Sequence, residues 1–274
     1  MSSNIPAEKK LNDEIRAVLE QGSRAVLVTL IQSSRLVVGA KILIRDGQRL
    51  SGDLGDESLN AAVTAEAATF LAGRDEARTV RLSEIAPELP ELADSSVLFE
   101  RIEAEPQLVI AGAGHVGAAL ARLAAQVRYR VTLIDDRAEF VAREMFSSPT
   151  EMLIELISNE SWAEAIRQAA GGGRGVSIAI VTRGHKQDED CLRAALSANP
   201  DYIGMIGSKR RTNIVLDKLR EEGFDEEQLK KVRAPIGLDI GAVSPEEVAL
   251  AILAEVVAQR RGARGNSLSA WRRP

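Results

Sequence analysis

Residues 108–136 read LVIAGAGHVGAALARLAAQVRYRVTLIDD, and this stretch decides the fold. An apolar run, Leu108 to Ala111, leads directly into Gly112-Ala113-Gly114-His115-Val116-Gly117. An alanine- and leucine-rich helix follows, and a second apolar run, Val131 to Ile134, ends on Asp135 and Asp136. A bare G-x-G-x-x-G says little. Set between a strand and a helix, with an acid at the next strand end, it points to a dinucleotide-binding unit. Gly112 permits the tight turn, Gly114 lets the backbone approach a pyrophosphate, and Gly117 lets helix and strand pack closely. The free N–H groups of a helix starting near His115 and Val116 would face the anion. Asp135 or Asp136, about 20 residues on, is placed to accept hydrogen bonds from a ribose. Arg137 next to them leaves room for a 2′-phosphate. The stretch reads as a Rossmann βαβ unit.

From Leu108 onward the rhythm of strand and helix continues, which implies a doubly wound parallel sheet. A strand is expected near Met152 to Leu156 and a helix from Ser161 to Ala170, ended by Gly171-Gly172-Gly173. Val176 to Thr182 reads as a buried strand, followed by a helix that Asp188 caps and that runs through Leu196. Tyr202 to Ile206 is the next strand, with a helix from Lys209 to Glu222 behind it. Ser244, Pro245 and Glu247 spell a capping box with proline at the first helical position. The helix they open should run to Arg260-Arg261 and stop at Gly262.

The first hundred residues differ. Leu11 to Gln21 predicts an amphipathic helix closed by Gly22. Ala25 to Ile31, Ala40 to Ile44 and Arg49 to Leu54 predict strands, the last two joined by an Asp46-Gly47 hairpin turn. A helix from Ser58 to Leu71 should end at Gly73. Pro87 and Pro90, among acids and Ser95-Ser96, mark a linker ahead of Leu98. The expected organisation is a small α+β domain over residues 1–100 and a Rossmann-like domain over 101–274.

Bulk properties exclude several classes. The 274 residues exceed one typical domain, and a composition 45% apolar and 27% charged is that of a globular protein. A net charge of −5 gives no general attraction for nucleic acid or an anionic membrane. The single cysteine, Cys191, excludes an internal disulfide and fits a reducing compartment. With Leu192 and Ala195 beside it, Cys191 reads as a packed core thiol. The polar amino terminus has no signal-peptide core, and no apolar run approaches the roughly 18 residues that span a bilayer. The expectation is a cytoplasmic protein.

In an open parallel sheet, ligands bind outside the carboxyl ends of the strands. Four segments fall there: the glycine loop, Thr182-Arg183-Gly184-His185, Gly207-Ser208-Lys209-Arg210-Arg211, and Pro235 to Gly241 with Asp239. Both histidines of the chain, His115 and His185, lie in them. Three cations at a helix start, Lys209, Arg210 and Arg211, oppose the helix dipole unless an anion sits there. His185, Asp188 and Cys191 match no standard metal-ligand spacing, so no metal site is expected. No Tyr–Lys pair or second catalytic domain is evident, and no catalytic residue is assigned.

Five motifs in order resemble the carboxyl-terminal Rossmann domain of the XdhC/CoxI family. They are GAGHVGAALARLA (112–124), TLIDDR (132–137), TRGHKQDEDCLRAAL (182–196), DYIGMIGSKRR (201–211) and APIGLDIGAVSPEEVALAILAEVVAQRRG (234–262). The amino-terminal part resembles the family through VLVTLIQSS (26–34), VGAKILI (38–44) and GDLGDESLNAAV (52–63). The resemblance implies an accessory protein for molybdenum hydroxylases such as xanthine dehydrogenase. Such a protein binds the molybdenum cofactor (molybdopterin), supports its sulfuration with a cysteine desulfurase and assists its insertion into the client. Gly112, Gly114, His115, Val116, Gly117, Asp135, Asp136, Arg183, His185, Ser208, Lys209, Arg210, Arg211 and Asp239 would then bind the cofactor. Family members often carry Gly-Gly-Cys where this chain has Asp56-Glu57-Ser58, and a serine cannot replace a thiolate in sulfur chemistry. They also carry an arginine-proline segment where Ser34 to Val38 reads Ser-Arg-Leu-Val-Val. Two alternatives stay open: an NAD(P)-dependent oxidoreductase with His115 or His185 as acid, and a nucleotide-sensing regulatory module. A homodimer is compatible with this size of α/β protein, although no sequence feature marks the surface.

Overall fold

The computed structural model describes residues 5–73 and 75–269, and the chain divides between Ala104 and Glu105 into two units. The first unit holds α1 (Ile5–Glu20), β1 (Arg24–Gln32), β2 (Lys41–Arg45), β3 (Gln48–Gly52), α2 (Glu57–Ala72), β4 (Ala77–Arg81), the one-turn α3 (Leu82–Ile85) and β5 (Ser96–Glu103). Its sheet runs β3-β2-β1-β5-β4, with every neighbouring pair antiparallel. Side chains alternate across a pleated strand, and β1 uses both faces. Val26, Val28 and Leu30 join a core with Leu59, Val63 and Phe70 of α2, whereas Ala25 and Leu27 pack with Leu11 and Val18 of α1. Asp46 and Gly47 take φ of 51° and 72°, the left-handed pair that a two-residue hairpin needs. The stretch expected as a linker belongs to this unit instead. Pro90–Leu92 forms a 3-10 turn, and Ser96 opens the strand that pairs with both β1 and β4.

The second unit holds β6 (Gln107–Ala111), α4 (His115–Gln126), β7 (Arg130–Asp135), β8 (Glu155–Ser158), α5 (Trp162–Ala170), β9 (Val176–Ile180), α6 (His185–Ala198), β10 (Tyr202–Met205), α7 (Lys209–Glu221), the one-turn α8 (Glu226–Leu229) and α9 (Pro245–Arg260). All its strands are parallel, in the order β10-β9-β6-β7-β8. That is the doubly wound Rossmann arrangement, with the strand order reversing between β6 and β9. Both faces are covered. Leu108 and Ile110 of β6 meet Leu120 and Ala124 of α4 and Ile252 and Val256 of α9, while Val109 and Ala111 face Ile166 of α5 and Leu192 of α6. Cys191 lies fully buried on that second side, as its apolar neighbours predict. Burial first, and then the carboxylates of Asp188, Asp190 and Asp136, push its thiol pKa far up.

Two local expectations fail for a tertiary reason. The strand near Met152 starts later, because Glu151–Leu153 is a 3-10 turn held by Arg122 and Arg143. Asp188 does not cap α6, which begins at His185 with Gly184 as its N-cap. Its side chain is needed inside the protein. On the outer edge of β10 the place of a sixth strand is reduced to one bridge, in which the Arg233 N–H donates to Ile203 O at 2.9 Å and Arg233 O accepts from Met205 N–H at 2.9 Å.

Glycine is required twice at the junction of β6 and α4. Gly112 has φ of +112°, and a Cβ there would lie 2.6 Å from Val181 O. A Cβ on Gly117 would lie 1.7 Å from Gly112 O, so helix and loop touch backbone to backbone. Gly117→Ala is therefore expected to destabilise the fold by about 2–3 kcal/mol, read as a lowered midpoint in urea; an unchanged midpoint would mean that the helix start shifts freely. Cys191 is expected to react with a thiol reagent only as fast as the protein unfolds, and prompt labelling in native buffer would contradict its packing.

Candidate functional site

The loops at the carboxyl ends of β6, β7, β9 and β10 form one crest on the second unit, where the strand order reverses. The glycine loop is pinned at its start: Gly112 N–H donates to Ile134 O at 2.8 Å, and Ala113 N–H donates to Asp135 Oδ2 at 2.7 Å. Beyond that point it is open. Gly114 is the N-cap of α4, brings no side-chain bond to the helix, and has nothing within 4 Å of where a Cβ would stand. His115 follows exposed, and Val116 leans half-buried on the core. Gly184 likewise starts α6 without a side-chain cap, and His185 after it is exposed. By contrast Ser161, Ser208 and Ser244 cap α5, α7 and α9. The first N–H groups of a helix have no partner within it. Among the described helices of more than one turn in this unit, α4 and α6 beside the reversal point are thus the ones that leave these donors without a capping side chain.

The paired aspartates separate into two environments. Asp135 is only 1% exposed, and its carboxylate accepts from Ala113 N–H, from Arg137 N–H at 3.0 Å and from the Arg137 guanidinium at 2.8 and 3.1 Å. Burial raises its pKa, but the hydrogen bonds from Arg137 and Ala113 outweigh it and hold the group below the ordinary aspartate value. Asp136 is partly exposed and faces Arg183 Nη2 at 3.2 Å, with Arg137 Nε at 3.7 Å. Arg137 also lies over the Phe140 ring, 3.6 Å from its centroid. Its guanidinium is committed inward rather than held out beside the crevice.

The cationic cluster at the start of α7 also divides. Arg211 turns inward to Asp188, with Nε 2.6 Å from Oδ2. Asp188 is fully buried and also accepts from the Thr182 hydroxyl. Burial pushes its carboxyl upward while Thr182 and Arg211 pull it back. Ser208, Lys209 and Arg210 stay exposed, Ser208 accepting from Arg211 N–H at 3.3 Å. Asp239 is exposed in the loop ahead of α9, whose Gly237 N–H is held 2.8 Å from Glu255 Oε2. The sequence reading missed three of these partners: Asp188 as an acceptor, Phe140 as a stacking surface, and Glu255, which also accepts from the Tyr202 hydroxyl at 2.6 Å. The Asp188–Arg211 contact joins residues on different helices and leaves no local signature. Among the described residues no three His, Cys, Asp or Glu side chains gather to hold a metal ion. A cavity of about 370 Å3 at the opposite end of β10, lined by Tyr202, Lys231, Arg233 and Gln259, shares no residue with this crest. No helix of the described residues is long and apolar enough to cross a membrane.

Strand order and glycine loop together define the second unit as a Rossmann domain. The chain belongs to the XdhC and CoxI family: residues 108–256 match the XdhC Rossmann domain, and residues 18–83 match the XdhC and CoxI family itself. It is 32% identical over 160 residues to the uncharacterized protein YqeB of Escherichia coli (strain K12), covering 58% of this chain and 28% of that one. It is 26% identical to a probable xanthine dehydrogenase subunit of Bacillus subtilis (strain 168), covering 63% of this chain and 49% of that one. The chain thus spans less than half the length of these two relatives. Similarity to the molybdenum cofactor insertion chaperone PaoD of Escherichia coli (strain K12) is 26% and covers 93% of this chain and 92% of that one. A solved structure described as a xanthine dehydrogenase from Bacillus halodurans shares the fold, with a TM-score of 0.62 at 21% identity over 92% of this chain and 68% of that one. In the first unit, Ser58 stands exposed on the first turn of α2, two residues after the N-cap Asp56.

The Asp135 network yields a test with a sign. Asp135→Asn is expected to cost about 2–3 kcal/mol at pH 7, since it breaks a buried charge pair. The folded pKa is depressed, so the charge stabilises above the unfolded value of about 3.9 and that contribution fades as pH falls through the folded one. Urea melts of both proteins should therefore converge below about pH 4. A gap that stays constant with pH would show that the ionised form is not what matters.

Proposed function

We propose that this chain is a cytoplasmic accessory protein of molybdenum hydroxylase maturation, which holds the molybdenum cofactor as cargo in the crest of its second unit and hands it to a client. The observation that carries this reading is the open cradle at Gly114: a backbone turn with free space before it, at the bare start of one helix and next to the bare start of a second. Anions are favoured at such helix ends, and the cofactor carries a phosphate or a dinucleotide. Family membership and full-length similarity to a molybdenum cofactor insertion chaperone support the same direction.

In this reading the backbone from Gly112 to Gly117, including His115 and Val116, receives the phosphate. Arg183, His185, Ser208, Lys209 and Arg210 add donors and positive charge, and Asp136 accepts from hydroxyls of the ligand. Asp135 and Arg211 act through others, the first by holding the glycine loop and the second by holding the α7 start against Asp188. Asp239 flanks the crest on the loop before α9. Binding and release require contacts rather than an acid–base pair, which suits a carrier. A hydroxyl at Ser58 is a poor sulfur nucleophile, so sulfuration would rest with a cysteine desulfurase partner.

The test is a titration of the whole protein with isolated molybdenum cofactor, with NAD⁺ and NADP⁺ in parallel. Cofactor binding is expected. Gly114→Ala, and Lys209→Glu combined with Arg210→Glu, should each weaken it by about tenfold or more, equivalent to at least about 1.4 kcal/mol, with melting curves little changed. Binding of a nicotinamide nucleotide without the cofactor would replace this reading with an oxidoreductase.

A further inference from the structure

The outer edge of β10 is closed along only part of its length. The N–H and C=O of one strand residue point to the same side, and successive residues alternate between neighbours. Ile206 N–H donates to Ile180 O of β9, whereas Ile203 O and Met205 N–H face away from β9 and are taken by Arg233. Ile203 N–H faces outward with its own carbonyl. In a parallel ladder its acceptor would be the carbonyl two residues before Arg233, that of Lys231. The chain is still turning there: Lys231 N–H donates to Gln228 O at 3.2 Å, and Val232 N–H donates to Leu229 O at 3.1 Å. The strand-like pairing beyond β10 therefore starts at Arg233, and the step before it is left open. The cavity of about 370 Å3 lies at that step, with Tyr202, Ile203, Lys231 and Arg233 in its lining.

Its charges favour an anion. Lys231 and Arg233 are exposed, and among the described residues neither pairs with a carboxylate; the Arg233 side chain reaches only Gln259 Oε1, at 3.4 Å. Lys230 beside them is paired with Glu227 at 2.8 Å. Asp201 also lines the cavity, but its carboxylate accepts from Gly175 N–H at 3.0 Å.

We propose that this cavity captures the carboxyl terminus of a partner polypeptide, laid as an added strand residue against the open edge of β10. The terminal carboxylate accepts from Ile203 N–H and is neutralised by Lys231 and Arg233. Strand addition and capture of chain ends are recurring modes of peptide recognition. Here the Arg233 bridge decides between an end and a through-running segment, because a chain added parallel to β10 meets Arg233 at its next step and must stop. Charge decides the direction. A parallel chain brings a carboxylate to the two cations, and an antiparallel one would bring its ammonium group to them. Leu196 and Pro200 in the wall suit an apolar last side chain. The site shares no residue with the crest and does not depend on what the crest holds.

The whole protein should be titrated, by fluorescence anisotropy, with fluorescein-labelled Gly-Gly-Ala-Leu bearing a free carboxyl group and with the same peptide as its carboxamide. Charge-assisted hydrogen bonds are about twice as strong as neutral ones, and the acid is expected to bind about tenfold or more tightly than the amide. Lys231→Gln combined with Arg233→Gln should bring the acid down to the level of the amide and leave the amide, the melting curve and the cofactor titration unchanged. Should that variant melt early, Lys231→Gln alone carries the same comparison with a smaller loss. Unlabelled N-acetyl-leucine, which has the carboxylate but no preceding strand, should displace the peptide only at about tenfold or more higher concentration than the unlabelled tetrapeptide. Equal affinity for acid and amide, an unchanged acid affinity in the variants, or no binding of the acid would each overturn the proposal. Displacement by N-acetyl-leucine at the same concentration as the tetrapeptide would overturn it too, since the cavity would then take small carboxylates rather than chain ends.

Discussion

The buried carboxylate of Asp135 is the constraint from which the rest of the crest is measured. Removing a carboxylate from water costs several kcal/mol, and the cost is met only when its lone pairs are filled with good geometry. Here they are filled by Ala113 N–H, Arg137 N–H and the Arg137 guanidinium. Those partners come from two loops, so the bonds that satisfy the charge also fix the glycine loop to the end of β7. The loop is then held at Ala113 and released at Gly114. Without that anchor, the close contact between Gly117 and Gly112 would be one packing option among several.

Asp188 does the corresponding work on the other side of the reversal point. It accepts from Thr182, at the end of β9, and from Arg211, on α7. Two buried acids therefore brace the loops on either side, and the helix starts between them stay uncapped. Each start carries roughly half a positive charge. Exposed Lys209 and Arg210 add to it, in a chain whose net charge is −5.

Much of the second unit was legible because its signals are local. The glycine loop, the Ser244–Glu247 capping box and the apolar runs that became β6, β7, β9 and β10 each sit within a few residues, and each formed close to where expected. What escaped involved partners far apart in sequence. Asp188 has the look of an N-cap, being a short acid ahead of an apolar stretch, but Arg211 draws it inside and the helix starts at His185. Lys209, Arg210 and Arg211 read as one basic cluster, yet an unseen carboxylate divides them into one structural cation and two exposed ones. In the first unit, Pro90 and Ser95-Ser96 looked like a linker because punctuation residues are read locally. The pairing of β5 with β1 joins segments about seventy residues apart, and no local pattern announces it.

Water separates the two kinds of charge in this structure. Asp135 and Asp188 have left it, so exchanging their partners would mean bearing an uncompensated buried charge. Asp136, Arg183, Lys209 and Arg210 remain at least partly in it, and an exposed pair such as Arg183 with Asp136 contributes little to stability. Residues of the same chemical type thus serve as frame or as adjustable contact according to burial alone. Arg137 and Arg183 make the point within one crest. Both approach Asp136, but the first is tied to a buried acid and an aromatic ring while the second is half exposed. A crest built this way combines a frame of buried pairs with a rim of exposed ones, and in the proposed role the rim is where a cargo would be taken up and given up.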